Sequence, residues 1–142
     1  MMKKTAIIPA MAFAFIMMHS SHAFAQKWTP VEGMNVSVNE ITHDFGTQKL
    51  YTKTEFEFEI KNDSTIALAI SNISTSCGCT TPTYSKRPVK SGKVATVKVS
   101  YDSARIGAFN KSINVYTNFS TEPIELYIKG TMEEENKETD KQ

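Results

Sequence analysis

Apolar and charged residues alternate along Thr52–Lys61. Phe56, Phe58 and Ile60 fall on one side, and Glu55, Glu57 and Glu59 on the other. Strict period two predicts a strand with one buried and one wet face. The same phase recurs in Lys93–Tyr101, with Ala95, Val97, Val99 and Tyr101 on one side. It recurs again in Phe109–Thr117, with Ile113 and Val115 inward, and in a last strand ending at Gly130 that aligns Ile124, Leu126 and Ile128. Met34–Asn39 alternates and reads as one strand extending to Asp44. Ile66–Ile73 reads as another, with Ile66, Leu68 and Ile70 in phase. Asn62-Asp63-Ser64, Ser91-Gly92 and Asn118–Pro123 carry turn residues. Ser74–Gly92, with Pro82 and Pro88, reads as irregular.

About seven short strands, separated by turns and without a helical stretch, predict a single all-β domain, an immunoglobulin-like β-sandwich. Composition agrees. After Ala25 the chain has 32 Val, Ile and Thr residues against 3 Leu and 5 Ala. Side chains branched at Cβ lose rotamer freedom on a helix and pack well on a pleated sheet. The cysteine pair that joins the two sheets of antibody domains is absent, because Cys77 and Cys79 share one loop.

The first 25 residues follow a different rule. Lys3 and Lys4 precede an uncharged run from Ala6 to Met18, and Ala23-Phe24-Ala25 precedes Gln26. This is the pattern of a secretory signal cleaved between Ala25 and Gln26. The run is too short for a stable bilayer span, which takes about 20 apolar residues. The expected organisation is a signal peptide (1–25), an N-terminal arm (26–35), the sandwich domain (36–132) and an acidic tail (133–142). The expected destination is the periplasm or the cell exterior, without a membrane span after cleavage. Residues 26–142 hold 14 Lys and Arg against 15 Asp and Glu. That balance excludes nucleic-acid binding driven by phosphate neutralisation.

A family likeness lies in the order of several short motifs. They are Asp44-Phe45-Gly46-Thr47, Phe56 and Phe58, Lys61-Asn62, Leu68-Ala69-Ile70 and Ser76-Cys77-Gly78-Cys79-Thr80. Pro82, Pro88-Val89 with Gly92, Gly107 with Phe109 and Lys111, Val115-Tyr116-Thr117-Asn118 and Ile128-Lys129-Gly130 follow. In this order the chain resembles bacterial domain-of-unknown-function family 1573 over about residues 40–132. The resemblance implies an exported immunoglobulin-like module of the kind abundant in Bacteroidetes, akin to Hydin-type and major-sperm-protein-type modules. It implies no activity. Ser91 stands where the family usually has Pro.

Cys77-Gly78-Cys79 is the one motif with chemical content. Neighbours two apart on a flat strand share a face but cannot bond, whereas a tight turn brings two Cβ atoms together, and Gly allows a positive φ there. Three readings stand: a structural disulfide or packed thiol pair, a redox-active disulfide, and a soft-metal site. Metal would need further ligands, and only His43, Met34 and Met132 offer themselves, at no recognisable spacing. Lys86, Arg87, Lys90 and Lys93 follow the motif as a possible basic patch beside the thiols. No serine or cysteine nucleophile can be paired with His43 from sequence, so the chain reads as a non-enzyme with no cofactor. Asp63-Ser64-Thr65 and Asp102-Ser103-Ala104 resemble Asp-Ser/Thr-apolar O-glycosylation acceptors, with Ser64 and Ser103 as the modified residues. Two functions compete: an exported module that binds a protein or envelope component, and a periplasmic thiol-redox or soft-metal protein acting through Cys77 and Cys79.

Overall fold

A computed structural model describes residues 27–102 and 104–134. The leader, the Ala25/Gln26 cleavage site, Ser103 and residues 135–142 of the expected tail lie outside them. Among the described residues there are nine strands: β1 (Thr29–Pro30), β2 (Val36–Val38), β3 (Thr42–Lys49), β4 (Thr54–Asn62), β5 (Ile70–Thr75), β6 (Thr80–Tyr84), β7 (Val94–Tyr101), β8 (Gly107–Thr117) and β9 (Ser120–Glu133). One sheet has the order β1-β2-β4-β7-β6, and the other β3-β9-β8-β5. The result is an all-β two-sheet sandwich of the immunoglobulin-like type.

The centre of each sheet follows from period two. β4 and β7 pair antiparallel with Phe58 opposite Val97 and Ile60 opposite Ala95. β8 and β9 pair with Ile113 opposite Leu126 and Val115 opposite Ile124. Phe58, Ile60, Val97, Val99, Ile113, Val115, Leu126 and Ile128 are completely buried between the sheets. Each contributes about 1.5–3 kcal/mol through removal of apolar surface from water. Phe56 keeps the expected phase but is half-buried at the margin of this core, packed on His43.

Five expectations change. Met34–Asp44 is not one strand: β2 belongs to the five-stranded sheet and β3 to the four-stranded one. Asn39 makes the break. Its backbone N–H still donates to Glu59 O (3.1 Å), its Oδ1 accepts from Glu59 N–H (3.0 Å), and its Nδ2 donates to Glu57 O (3.2 Å). The side chain thus continues the ladder while the backbone turns towards the other sheet. The arm supplies β1, whose Thr29 and Pro30 pair with Val38 and Ser37.

Ile66 is exposed at 62%, against 1% for Leu68. Its carbonyl accepts from Asn62 Nδ2 and Ser64 Oγ. The backbone is therefore turned inward there and the side chain outward, and β5 begins only at Ile70. Part of the segment read as irregular is β6, five residues pairing with β7. Pro82 is tolerated because β6 is an edge strand, where one row of backbone groups has no ladder partner. The last strand passes Gly130 and ends at Glu133, because β3 pairs in parallel with β9 as far as Lys49 and Glu133. Met132 is fully buried on this extension.

Candidate functional site

β5 and β6 are the edge strands on one flank of the sandwich, one in each sheet, and the Cys77-Gly78-Cys79 turn carries the chain between them. Cys77 and Cys79 are joined as a disulfide, with their Cα atoms 5.3 Å apart. The expected positive φ at Gly78 is not used; Gly33, Gly46, Gly92 and Gly107 are the glycines that adopt it. Gly78 is exposed, and a Cβ placed on it would meet no atom within 4 Å.

The turn is fixed by five hydrogen bonds that do not involve the sulfurs. Ser76 N–H donates to Ser112 O (3.1 Å), and Ser112 N–H returns a bond to Ser76 Oγ (3.1 Å). Thr75 Oγ1 donates to Cys77 O (2.9 Å). Thr80 N–H donates weakly to the same carbonyl (3.4 Å), and Asp102 N–H donates to Cys79 O (2.8 Å). The hydroxyl of Thr80, a buried residue, lies 3.6 Å from Cys77 Sγ. Cys79 packs against the hydrophobic core, and Cys77 does not. The two half-buried cysteines therefore differ in their surroundings.

The basic residues do not join them. Lys86 places its Nζ 3.5 Å from the ring centroid of Tyr84, at the far end of β6 from Thr80. Arg87, Lys90 and Lys93 follow beyond that end, so no patch forms beside the sulfurs. His43 lies on β3, at the opposite edge of the four-stranded sheet from β5. Its Nδ1 is 2.7 Å from Glu40 Oε1, its ring stacks on Phe56 at 3.6 Å, and Phe45 meets it edge-on at 4.6 Å. It is a packing residue between the sheets. Among the described residues, no three His, Cys, Asp or Glu side chains gather as metal ligands. Ser64 is half-buried, and its hydroxyl donates to Ile66 O (2.9 Å) while accepting from Ile66 N–H (3.2 Å). That hydroxyl is committed to its own turn, at the rim of a shallow concavity of about 490 Å³ lined by Asn35, Asp63, Thr65, Ile66 and Asn118.

The motifs that carried the family likeness converge around β3, β8 and β9. Asp44 caps Gly46 N–H (2.8 Å) and pairs with Lys129 (3.3 Å), and these hold its carboxyl below the ordinary value. Gly130 has no room for a side chain: a Cβ there would lie 2.9 Å from Gly46 O and 3.0 Å from the Phe109 ring. Phe109 stacks on Tyr101 (4.0 Å) and approaches Phe45 (6.3 Å). These residues fix the β3 bulge against β9. The acidic face of β4 is likewise structural. Glu55 accepts from Lys53 (2.9 Å), Lys98 (3.0 Å) and Ser100 Oγ (2.9 Å). The first two cations are the main reason that its carboxyl titrates at about 2.

Sequence reasoning missed two features of the disulfide end. Tyr51, in the β3–β4 turn, is 82% exposed, and Ile106, before β8, is 63% exposed. Both flank the end of β9, since Lys49 and Gly107 pair with Glu133 and Met132. A large apolar residue inside a polar turn was the available signal.

The sequence profile of the family described as "Protein of unknown function (DUF1573)" matches residues 36–132. The chain belongs to this family. DUF1573 membership agrees with the motif order, and the match runs from the start of β2 to Met132, one residue short of the end of β9. No curated protein matches in sequence. Among solved structures, the chain is similar to the PapD-like domain 7 of human CEP192, with a TM-score of 0.61 and 11% identity over 95% of this chain and 99% of that one. A protein of unknown function from Porphyromonas gingivalis W83 aligns with a TM-score of 0.59 and 15% identity, over 69% of this chain and 46% of that one. The VesB protease of Vibrio cholerae aligns with a TM-score of 0.56 and 13% identity, over 70% of this chain and 32% of that one. The chain thus spans less than half of either bacterial protein. At these identities the likeness is one of fold.

Proposed function

We propose that this DUF1573 chain is an exported, non-enzymatic module that binds a protein component of the envelope through the loops of its disulfide end. The observation that carries this reading is the placing of exposed apolar side chains. Tyr51 and Ile106 are two of the three large apolar residues that face solvent among the described residues. Both stand on loops at one end of a rigid sandwich, and the Cys77–Cys79 turn stands at the same end. Immunoglobulin-like folds bind through loops held in this way, because the scaffold bears the ordering cost and the loops stay free to vary. Export follows from the leader pattern, and an oxidised cysteine pair fits an oxidising compartment.

The edges of the sheets support loops over strand addition. Pro30 lies on β1 and Pro82 on β6, and the registers of β3 and β5 are interrupted between Asp44 and Thr47 and between Ile70 and Asn72. Such edges resist pairing with another chain.

The test is photo-crosslinking in living cells, with a photoreactive phenylalanine in place of Tyr51 or, as a control on the other end, Ile66. The reading expects adducts from position 51 that Ile106→Ser weakens, in protein recovered from the envelope fraction. Adducts confined to position 66, or protein retained in the cytoplasm, would overturn it.

A further inference from the structure

We infer that the Cys77–Cys79 disulfide is an exchange site that accepts two electrons from a dithiol, with Cys77 as the sulfur attacked. The inference rests on the turn alone. The backbone on both sides of the pair is held by Ser76, Ser112, Thr75, Thr80 and Asp102. The fold therefore does not need the S–S bond to keep the turn in place. A bridge across a single intervening residue removes little chain entropy from the unfolded state. Little stabilisation opposes its opening, and the two thiols remain in position afterwards. A bond that neither closes a long loop nor joins the sheets is poorly explained as a structural staple.

The two sulfurs are unequal in the way that directional exchange requires. Cys79 is packed on the core, where a thiolate is disfavoured by burial. Cys77 has the Thr80 hydroxyl at 3.6 Å. The bonded sulfur bears no hydrogen, so this hydroxyl is the donor, and it can donate equally to a thiolate. A thiolate of the dithiol attacks Cys77 Sγ. The S–S bond breaks, and Cys79 leaves with the electron pair and takes a proton from water. The second thiol of the dithiol, deprotonated, then attacks its partner's sulfur in the mixed disulfide. The dithiol closes to a disulfide, and Cys77 leaves as a thiolate that Thr80 stabilises until it takes up a proton. Two electrons have passed to the protein, and the protein has gained the two protons that the dithiol lost.

The experiment uses the mature chain, residues 26–142, with its bond intact. It is exposed under native conditions to dithiothreitol and to a synthetic peptide carrying a Cys-x-x-Cys dithiol, and quenched with acid. The expected result is reduction by one or both reagents without unfolding. A faster reaction with the peptide assigns the physiological dithiol to a polypeptide, and a faster one with dithiothreitol to a small molecule. The fully reduced protein is then pulsed with limiting iodoacetamide, and the modified cysteine is mapped by mass spectrometry. Cys77 should react about tenfold faster than Cys79. Thr80→Val should reduce that preference, and Thr80→Ser should retain it. The mapping needs no cysteine variant, so a failure to fold cannot obscure it. A bond reduced only when the protein unfolds, or equal or faster alkylation of Cys79, overturns the inference.

Discussion

The end of the sandwich at the β4–β5 connection and the end at the β5–β6 turn are fastened in opposite ways. At the first, Asn62 is fully buried, and its side chain does most of the work. Its Nδ2 donates to Ile66 O (2.8 Å) and Val89 O (3.0 Å), and its Oδ1 accepts from Ser64 N–H (2.9 Å). Asn118 adds bonds from its Nδ2 to Ala67 O (3.0 Å) and from Ala69 N–H to its Oδ1 (2.8 Å). The two amides thus take up four backbone groups of residues 64–69, while Leu68 pairs with Val89 through its own backbone. At the second end, backbone and serine bonds hold the turn, and the covalent bond is extra. The contrast teaches that the strongest local chemistry need not be the strongest local fastener. A buried amide whose partners have no water to turn to is costly to remove, whereas a bond across one residue constrains little.

The predictions scale accordingly. Phe58, between the two ends, sets the upper mark: Phe58→Ala should cost about 3–5 kcal/mol in denaturant unfolding. A loss below about 1 kcal/mol would show that β4 does not bury this face. Asn62→Ala should come next, at about 2–4 kcal/mol, since it strands two carbonyls and one N–H. Cys77→Ser/Cys79→Ser should fold and lose only about 1–2 kcal/mol. The comparison fails if removal of the disulfide costs more than removal of the amide.

The smallest effect is electrostatic, and it belongs to the sheet face beside the disulfide end. The Glu55 carboxyl is held at about 2, against an ordinary value of 4.5. A carboxylate with a depressed native pKa stabilises the fold above its unfolded value and loses that contribution as pH falls through its native value. Stability should therefore decline between about pH 4.5 and pH 2, and the decline should be shallower in Lys98→Met. An unchanged acid profile in that variant would mean that the Lys98 pair contributes nothing. The contribution is small because the network is solvated.

The two ends also differ in how far the sequence disclosed them. The central strands were legible because a half-buried strand alternates, and β4, β7, β8 and β9 do so without interruption. Cys77-Gly78-Cys79 was legible because few other residue patterns offer thiol chemistry. Asn62 was legible only as a turn residue. Its burial depends on Val89 and Lys93, far along the chain, and no local pattern carries that information. Ile66 misled for the same reason: its phase matched Leu68, but the Asn62 amide rotates its carbonyl inward. β6 was hidden by Pro82, whose cost vanishes at an edge. Tyr51 and Ile106 sat in turns and gave no periodic signal, although they are exposed at the disulfide end of the molecule.

The state of the cysteine pair in the cell tests the account most directly. Cells quenched with acid, then alkylated before and after reduction, report how many thiols the chain carries. An oxidised resting turn predicts no alkylated cysteine before reduction and both cysteines, the only two in the chain, after it. Two free thiols before reduction, in protein recovered from its native compartment, would contradict the account.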